Sequence, residues 1–192
     1  MQFKRTLNVG DDVVAIMQGD SEEARRAQAA QFSIAWITFS KKCIKDVCVV
    51  FDIDDTLVDG EERVIPSIAE VYHRCAEMGV PIYLVTARPE SEENRRETKK
   101  MLAKNGFTAH RRLYMIPRDV KISSFKTRAR QDIAREHSMC ACFGDQFTDH
   151  LLQLLPRDKQ LESTLRASFG DGDCAVFVRG RAIYVKLPEN AD

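Results

Sequence analysis

No apolar run in this chain is long enough to cross a bilayer: the longest, around 47–53 and 80–85, are strand-sized, far below the roughly 20 residues a membrane helix needs. Lys4 and Arg5 lie near the start, but no apolar core follows them, so no secretory signal is read and a cytoplasmic setting is expected. An excess of either charge is missing too. Twenty-nine Lys and Arg balance 29 Asp and Glu, which argues against a disordered or extremely basic chain. The six cysteines include no CxxC pair, the spacing that suits tetrahedral zinc. With no export signal they are read as reduced. Cys140 and Cys142 would share one side of a strand, as small residues on a buried face. There is no internal repeat and no low-complexity tract.

What is present suits one soluble domain. At 192 residues, 44% hydrophobic and 30% charged, the chain can bury a full core and is short for two independent units. Residues 1–44 are read as an N-terminal helical extension of two helices. Asp11, Asp12, Asp20 and Ser21 are possible starts, and Ala24, Ala27, Phe32, Ala35, Trp36 and Phe39 form a packing face. From residue 47 strands and helices alternate, which predicts an α/β fold over 45–192 with a central parallel sheet in three Rossmann-like layers. Strands are expected at 47–53, 81–85, 113–116, 139–143 and 175–178. Helices are expected at 66–79, 91–105, 124–137 and 148–155, with Thr98, Met101 and Leu102 as the buried stripe of the second.

In an open parallel sheet, ligands bind beyond the carboxyl ends of the strands, and the informative polar residues fall there. The first strand runs into Asp52-Ile53-Asp54-Asp55-Thr56, the second into Thr86-Ala87-Arg88, and the fourth into Gly144-Asp145, with Thr148 and Asp149 beyond. Lys126 opens the helix before the fourth strand. Asp52 and Asp54, two apart at a strand terminus, would point the same way. Adding Asp145 concentrates negative charge that a cation must offset. Oxygen-only donors select magnesium over zinc. One carboxylate can then attack phosphorus, while a second, kept protonated by its neighbours, serves the leaving oxygen and then water. A hydroxyl and a lysine bind the phosphate oxygens.

These elements, in this order, resemble the four motifs of the haloacid dehalogenase (HAD) superfamily of phosphatases. More narrowly, Phe51 to Leu57, Phe125-Lys126-Thr127, residues 144–149 and Lys186-Leu187-Pro188 resemble subfamily IIIB, the group of plant acid phosphatases, vegetative storage proteins and bacterial class B-like acid phosphatases. The resemblance covers about residues 46–188. It implies Asp52 as nucleophile and metal ligand. Asp54 would be the general acid/base and would offer its backbone carbonyl to Mg2+. Thr86 and Lys126 would hold the phosphoryl group, Asp145 would ligate the metal, and Asp149 would support the metal's second shell or bind Lys126. Ala87 and Arg88 are added as substrate contacts, with a structural salt bridge the alternative for Arg88. The chain departs from the pattern at Asp55, where glutamate or glycine is usual, and at Phe147, which replaces Trp.

Asp59, Glu61 and Glu62 read as a solvated loop, and His150 as a helix-surface residue. Between 111 and 135, Arg111, Arg112, Arg118, Lys121, Lys126, Arg128, Arg130 and Arg135 face only Asp119 and Asp132, a local positive potential that would attract anions. Neither segment that could carry a lid domain has room for one, so an open site without a large cap is expected. Three classes follow: a phosphatase of small phosphorylated molecules, a phosphatase of nucleic-acid or protein ends, and a non-catalytic storage or binding protein. No membrane partner is expected, and a homo-oligomer is left open.

Overall fold

The computed structural model describes residues 3–9, 12–146, 163 and 173–188. The chain opens not with a helix but with an antiparallel hairpin, Phe3–Val9 (β1) and Asp12–Met17 (β2). This corrects the two helices expected before residue 44. Burial alternates along Val13-Val14-Ala15-Ile16, with Val14 and Ile16 in the core and Val13 exposed, before Met17 is buried in turn, the strand period rather than the helical one.

A single long helix follows, Glu22–Cys43 (α1), capped by Ser21, whose Oγ accepts from Ala24 N at 3.1 Å. Its buried stripe is Ala29, Ala30, Ser33, Ile37 and Ser40; of the face expected, Phe32 and Trp36 pack partly buried against the core. Phe39 is 61% exposed. Small residues let α1 approach the next helix closely, and the two pack together. Trp36 lies half-buried and donates its Nε1 proton to Cys140 O at 3.1 Å.

Val47–Phe51 (β3), Pro66–Glu77 (α2), Ile82–Pro89 (β4), Glu92–Lys104 (α3), His110–Ile116 (β5), Ile122–Glu136 (α4) and Ser138–Gly144 (β6) form the alternating core. Pro66 opens α2 at the position where a missing N–H costs nothing. Ser91 caps α3 through Asn94 N at 3.1 Å, and Thr98, Met101 and Leu102 are its buried residues, as expected. Ala175–Arg179 (β7) and Ala182–Lys186 (β8) complete the sheet as a hairpin. Its turn uses Gly180 at φ 59, a conformation glycine adopts without steric cost. β8 was not anticipated.

The eight strands are ordered β1-β2-β7-β8-β6-β3-β4-β5. Neighbours from β8 to β5 are parallel, and the β1-β2-β7 side is antiparallel. Residues of α1, α2 and α3 join the core on one face, while Phe125, Ala129 and Ile133 of α4 join it on the other. All of β3 is buried, and the rings of Phe51 and Phe143 stack at 4.6 Å between centroids. A register shift opposite Cys48 and Val49 leaves Cys140 without a partner residue. Cys140 therefore joins the face of α1 and α2, and Cys142 the opposite face. The bulge breaks the strict alternation on which the shared-face expectation rested.

The crossovers through α2 and α3 run outward from β3, and the return through α4 lands on its other side at β6. The carboxyl ends of β3 and β6 thus form the point where strand order reverses, the usual position of a ligand site in such sheets.

Candidate active site

Asp52 leaves β3 at that point. Its N–H donates to Phe143 O on β6 at 2.9 Å, tying it to the neighbouring strand end. The next residues curl over one carbonyl: Ile53 O accepts from Thr56 N, Leu57 N and Val58 N at 3.3, 2.8 and 3.1 Å. Asp55 takes φ 55 to make the bend, a left-handed conformation that aspartate tolerates better than most side chains. Leu57 and Val58 then return to the core.

The Asp52 carboxylate is 5% exposed as a residue. Its Oδ1 accepts from Ile53 N at 2.8 Å and its Oδ2 from Lys126 Nζ at 2.8 Å. Lys126 is 1% exposed and reaches this point from the first turns of α4. Phe125 and Ala129 anchor that helix in the core. A buried lysine is costly unless paired with a counter-charge, and Asp52 supplies one.

Asp54 turns the other way, toward β4. Thr86, fully buried, lies 3.3 Å by its Oγ1 from Asp54 Oδ2. Arg88 Nε donates to both carboxylate oxygens at 3.1 Å and Nη2 to Oδ1 at 2.7 Å. The close carboxylate pushes the Arg88 guanidinium further above its ordinary range. The neighbours of Asp54 are therefore a hydroxyl and a guanidinium, not the two other acids expected beside it.

Asp145 follows β6 directly and is 5% exposed; Gln146 Nε2 donates to its Oδ2 at 2.8 Å. Gly144 is in register with Lys186 of β8, a buried lysine whose Nζ donates to Leu187 O at 2.7 Å. The role of Lys186 as a buried cation at this strand end had no signal in the sequence beyond the Lys-Leu-Pro motif. Asp149, with Phe147, Thr148, His150 and the helix expected at 148–155, lies outside the described residues. Ala87 is half-buried between Thr86 and Arg88.

The structure thus brings Asp52 to Lys126, and Asp54 to Thr86 and Arg88, with Asp145 at the end of the strand beside Asp52. Among the described residues no group of three His, Cys, Asp or Glu side chains is close enough to hold a metal ion. Two cations of the basic stretch at 111–135 leave the surface. Lys126 and Arg130 are buried, Arg135 pairs with Asp132, and Arg112 lies over the Tyr114 ring at 4.5 Å. The segments joining β3 to β4 and β4 to β5 hold one core helix each, so neither carries a lid domain. No described helix is long and apolar enough to cross a membrane.

Residues 58–165, more than half of the chain, match the family model of the HAD superfamily, subfamily IIIB (acid phosphatase). The match includes Thr86, Arg88, Lys126 and Asp145 and begins just after the Asp52–Thr56 turn. No curated protein matches the chain. Among solved structures, the class C acid phosphatase from Bacillus anthracis is similar in fold, with a TM-score of 0.63 at 16% identity over 89% of this chain and 79% of that one. The chain belongs to the acid phosphatases of HAD subfamily IIIB and is a phosphomonoester hydrolase.

Proposed function

We propose that this phosphatase is magnesium-dependent and works through an aspartyl-phosphate on Asp52, with Asp54 as general acid and base. The observation that carries this reading is the buried Asp52–Lys126 pair at 2.8 Å, held at the switch point of the sheet with Asp145 at the end of the adjoining strand. Asp52 and Asp145 offer only oxygen donors, the set that suits a hard divalent ion. The side chain of Asp54 meets Thr86 and Arg88, and the resemblance implies its main-chain carbonyl as the donor it would contribute. Two carboxylates and a carbonyl are oxygen donors of the kind Mg2+ takes, with water filling the remaining positions. Bound there, magnesium would offset repulsion between the carboxylate and an anionic ester.

An Asp52 oxygen attacks phosphorus in line, and the ester P–O bond breaks as the Asp52 O–P bond forms. The leaving oxygen takes the proton carried by Asp54. Water then attacks phosphorus, giving its proton to Asp54, and the Asp52 O–P bond breaks to release inorganic phosphate. Lys126 Nζ, the Thr86 hydroxyl and the Arg88 guanidinium bind the transferred group's oxygens. Asp149 would support the metal's ligands or bind Lys126. The acid phosphatase family match favours a small phosphorylated substrate, while the lidless rim would also admit the phosphate end of a nucleic acid or protein.

The test is hydrolysis of an aryl phosphate by the purified protein. Activity should require magnesium, stop with chelator, and fall by about three orders of magnitude or more in Asp52→Asn. Hydrolysis retained in that variant would overturn the assignment.

A further inference from the structure

The loop over residues 59–65, between the Asp52 turn and α2, is not merely solvated. Asp59 staples it: Oδ1 accepts from Glu61 N and Arg63 N at 2.9 Å each, and Oδ2 from Arg63 Nε at 2.8 Å. Val58 bridges Val64, and Ile65 N returns to Leu57 O at 3.0 Å. At the tip, Glu62 has φ 60, a left-handed backbone that disfavours a residue with a side chain. Two contacts hold it there. Asn105, at the end of α3, donates its Nδ2 proton to Glu62 O at 3.2 Å, and N–H of Glu62 donates to Asp59 O at 2.9 Å. So fixed, Glu62 turns its carboxylate onto Arg88, with Oε1 3.5 Å from Nη2.

Arg88 is then pinned along one edge of its fork. Nε and Nη2 are taken up by Asp54 and Glu62, and Nη1 makes no hydrogen bond to a described residue. We infer that Glu62 is a positioning residue: with Asp54 it fixes the plane of the Arg88 guanidinium so that the Nη1 side is presented, already oriented, to a phosphate oxygen held by Thr86. This rests on the reading of Thr86 and Arg88 as phosphate contacts. Arginine suits the role because its planar fork can be held on one edge while the other binds, which a lysine ammonium cannot do.

The pair is partly exposed, with side chains 21% and 57% accessible, so its loss should act at the scale of a surface ion pair. Glu62→Gln should raise KM for an aryl phosphate and the inhibition constant of inorganic phosphate together, each roughly two- to five-fold, with kcat unchanged within two-fold. Arg88→Lys should raise both further. The double variant should match Arg88→Lys alone, because without a fork there is nothing for Glu62 to orient. A Glu62→Gln variant with unchanged KM and phosphate inhibition, one that loses kcat only, or a double variant whose losses multiply would overturn the inference. Asp52→Asn in the same series separates the two levels. An active Asp52→Asn enzyme refutes the functional reading, whereas a dead one beside an unaffected Glu62→Gln refutes only the role of Glu62.

Discussion

Replacing Lys126 by methionine should destabilise the fold, and replacing Asp52 by asparagine in that variant should cost less stability than it does in the wild type, without restoring activity. Lys126 Nζ and Asp52 Oδ2 are 2.8 Å apart, with side chains 2% and 6% accessible. At an effective dielectric of about 20, two unit charges at that separation attract by about 6 kcal/mol, offset in part by the desolvation of each. Removing the cation alone leaves the carboxylate buried without it, a change that costs about 3–5 kcal/mol in comparable pairs and lowers Tm by about 6–20 °C for a chain of this size. Removing both charges avoids that cost, so the two substitutions should couple by about 1–3 kcal/mol. Thermal and urea unfolding of wild type, both single variants and the double variant, all in chelator so that bound metal does not contribute, gives the cycle. Strictly additive losses would refute the claim that this pair carries the charge balance of the site.

Two further outcomes follow from the packing. Cys43 is exposed and the other five cysteines are buried, none of them in a disulfide, with burial pushing Cys75, Cys140 and Cys174 up to about 12. A thiol reagent at neutral pH should therefore modify one cysteine quickly in the native protein and all six in denaturant; fast native labelling of a second would contradict the packing. His110 is held below its ordinary pKa by burial, with Lys99 contributing, and it bonds Phe107 O at 3.0 Å. Because its folded pKa is depressed, the unfolded chain binds more protons below about pH 6.5, and stability falls as the pH drops through that range. His110→Asn should lose part of this slope, narrowing its stability gap to wild type between pH 7.5 and pH 5.5, whereas parallel curves would exclude the effect.

Much of the parallel half of this sheet is legible because burial on both faces leaves a local trace. The unbroken apolar run of β3 and the spacing of Thr98, Met101 and Leu102 each follow from periodicity. The site is legible for a related reason: acids at strand ends, a threonine and a lysine occur at the positions where a parallel sheet offers its crevice. The antiparallel side is less readable. β1 carries Lys4, Arg5 and Asn8 on a largely exposed strand, a pattern close to that of a loop, although Gly10-Asp11 between β-branched runs is hairpin-turn chemistry. The separation of Cys140 from Cys142 depends on a bulge, which arises from pairing with β3 and leaves no mark in the local sequence. Glu62 and Arg88 are 26 positions apart, and their contact depends on a tip conformation secured by Asn105 from another helix.

The central claim is that phosphate passes through a covalent bond to Asp52. The direct measurement is to quench the enzyme during turnover of an aryl phosphate with magnesium, reduce any acyl phosphate with borohydride, and map the product by peptide mass spectrometry. The account predicts homoserine at position 52 and none at 54 or 145. Turnover with an unmodified Asp52, or homoserine at one of the other two, would contradict it.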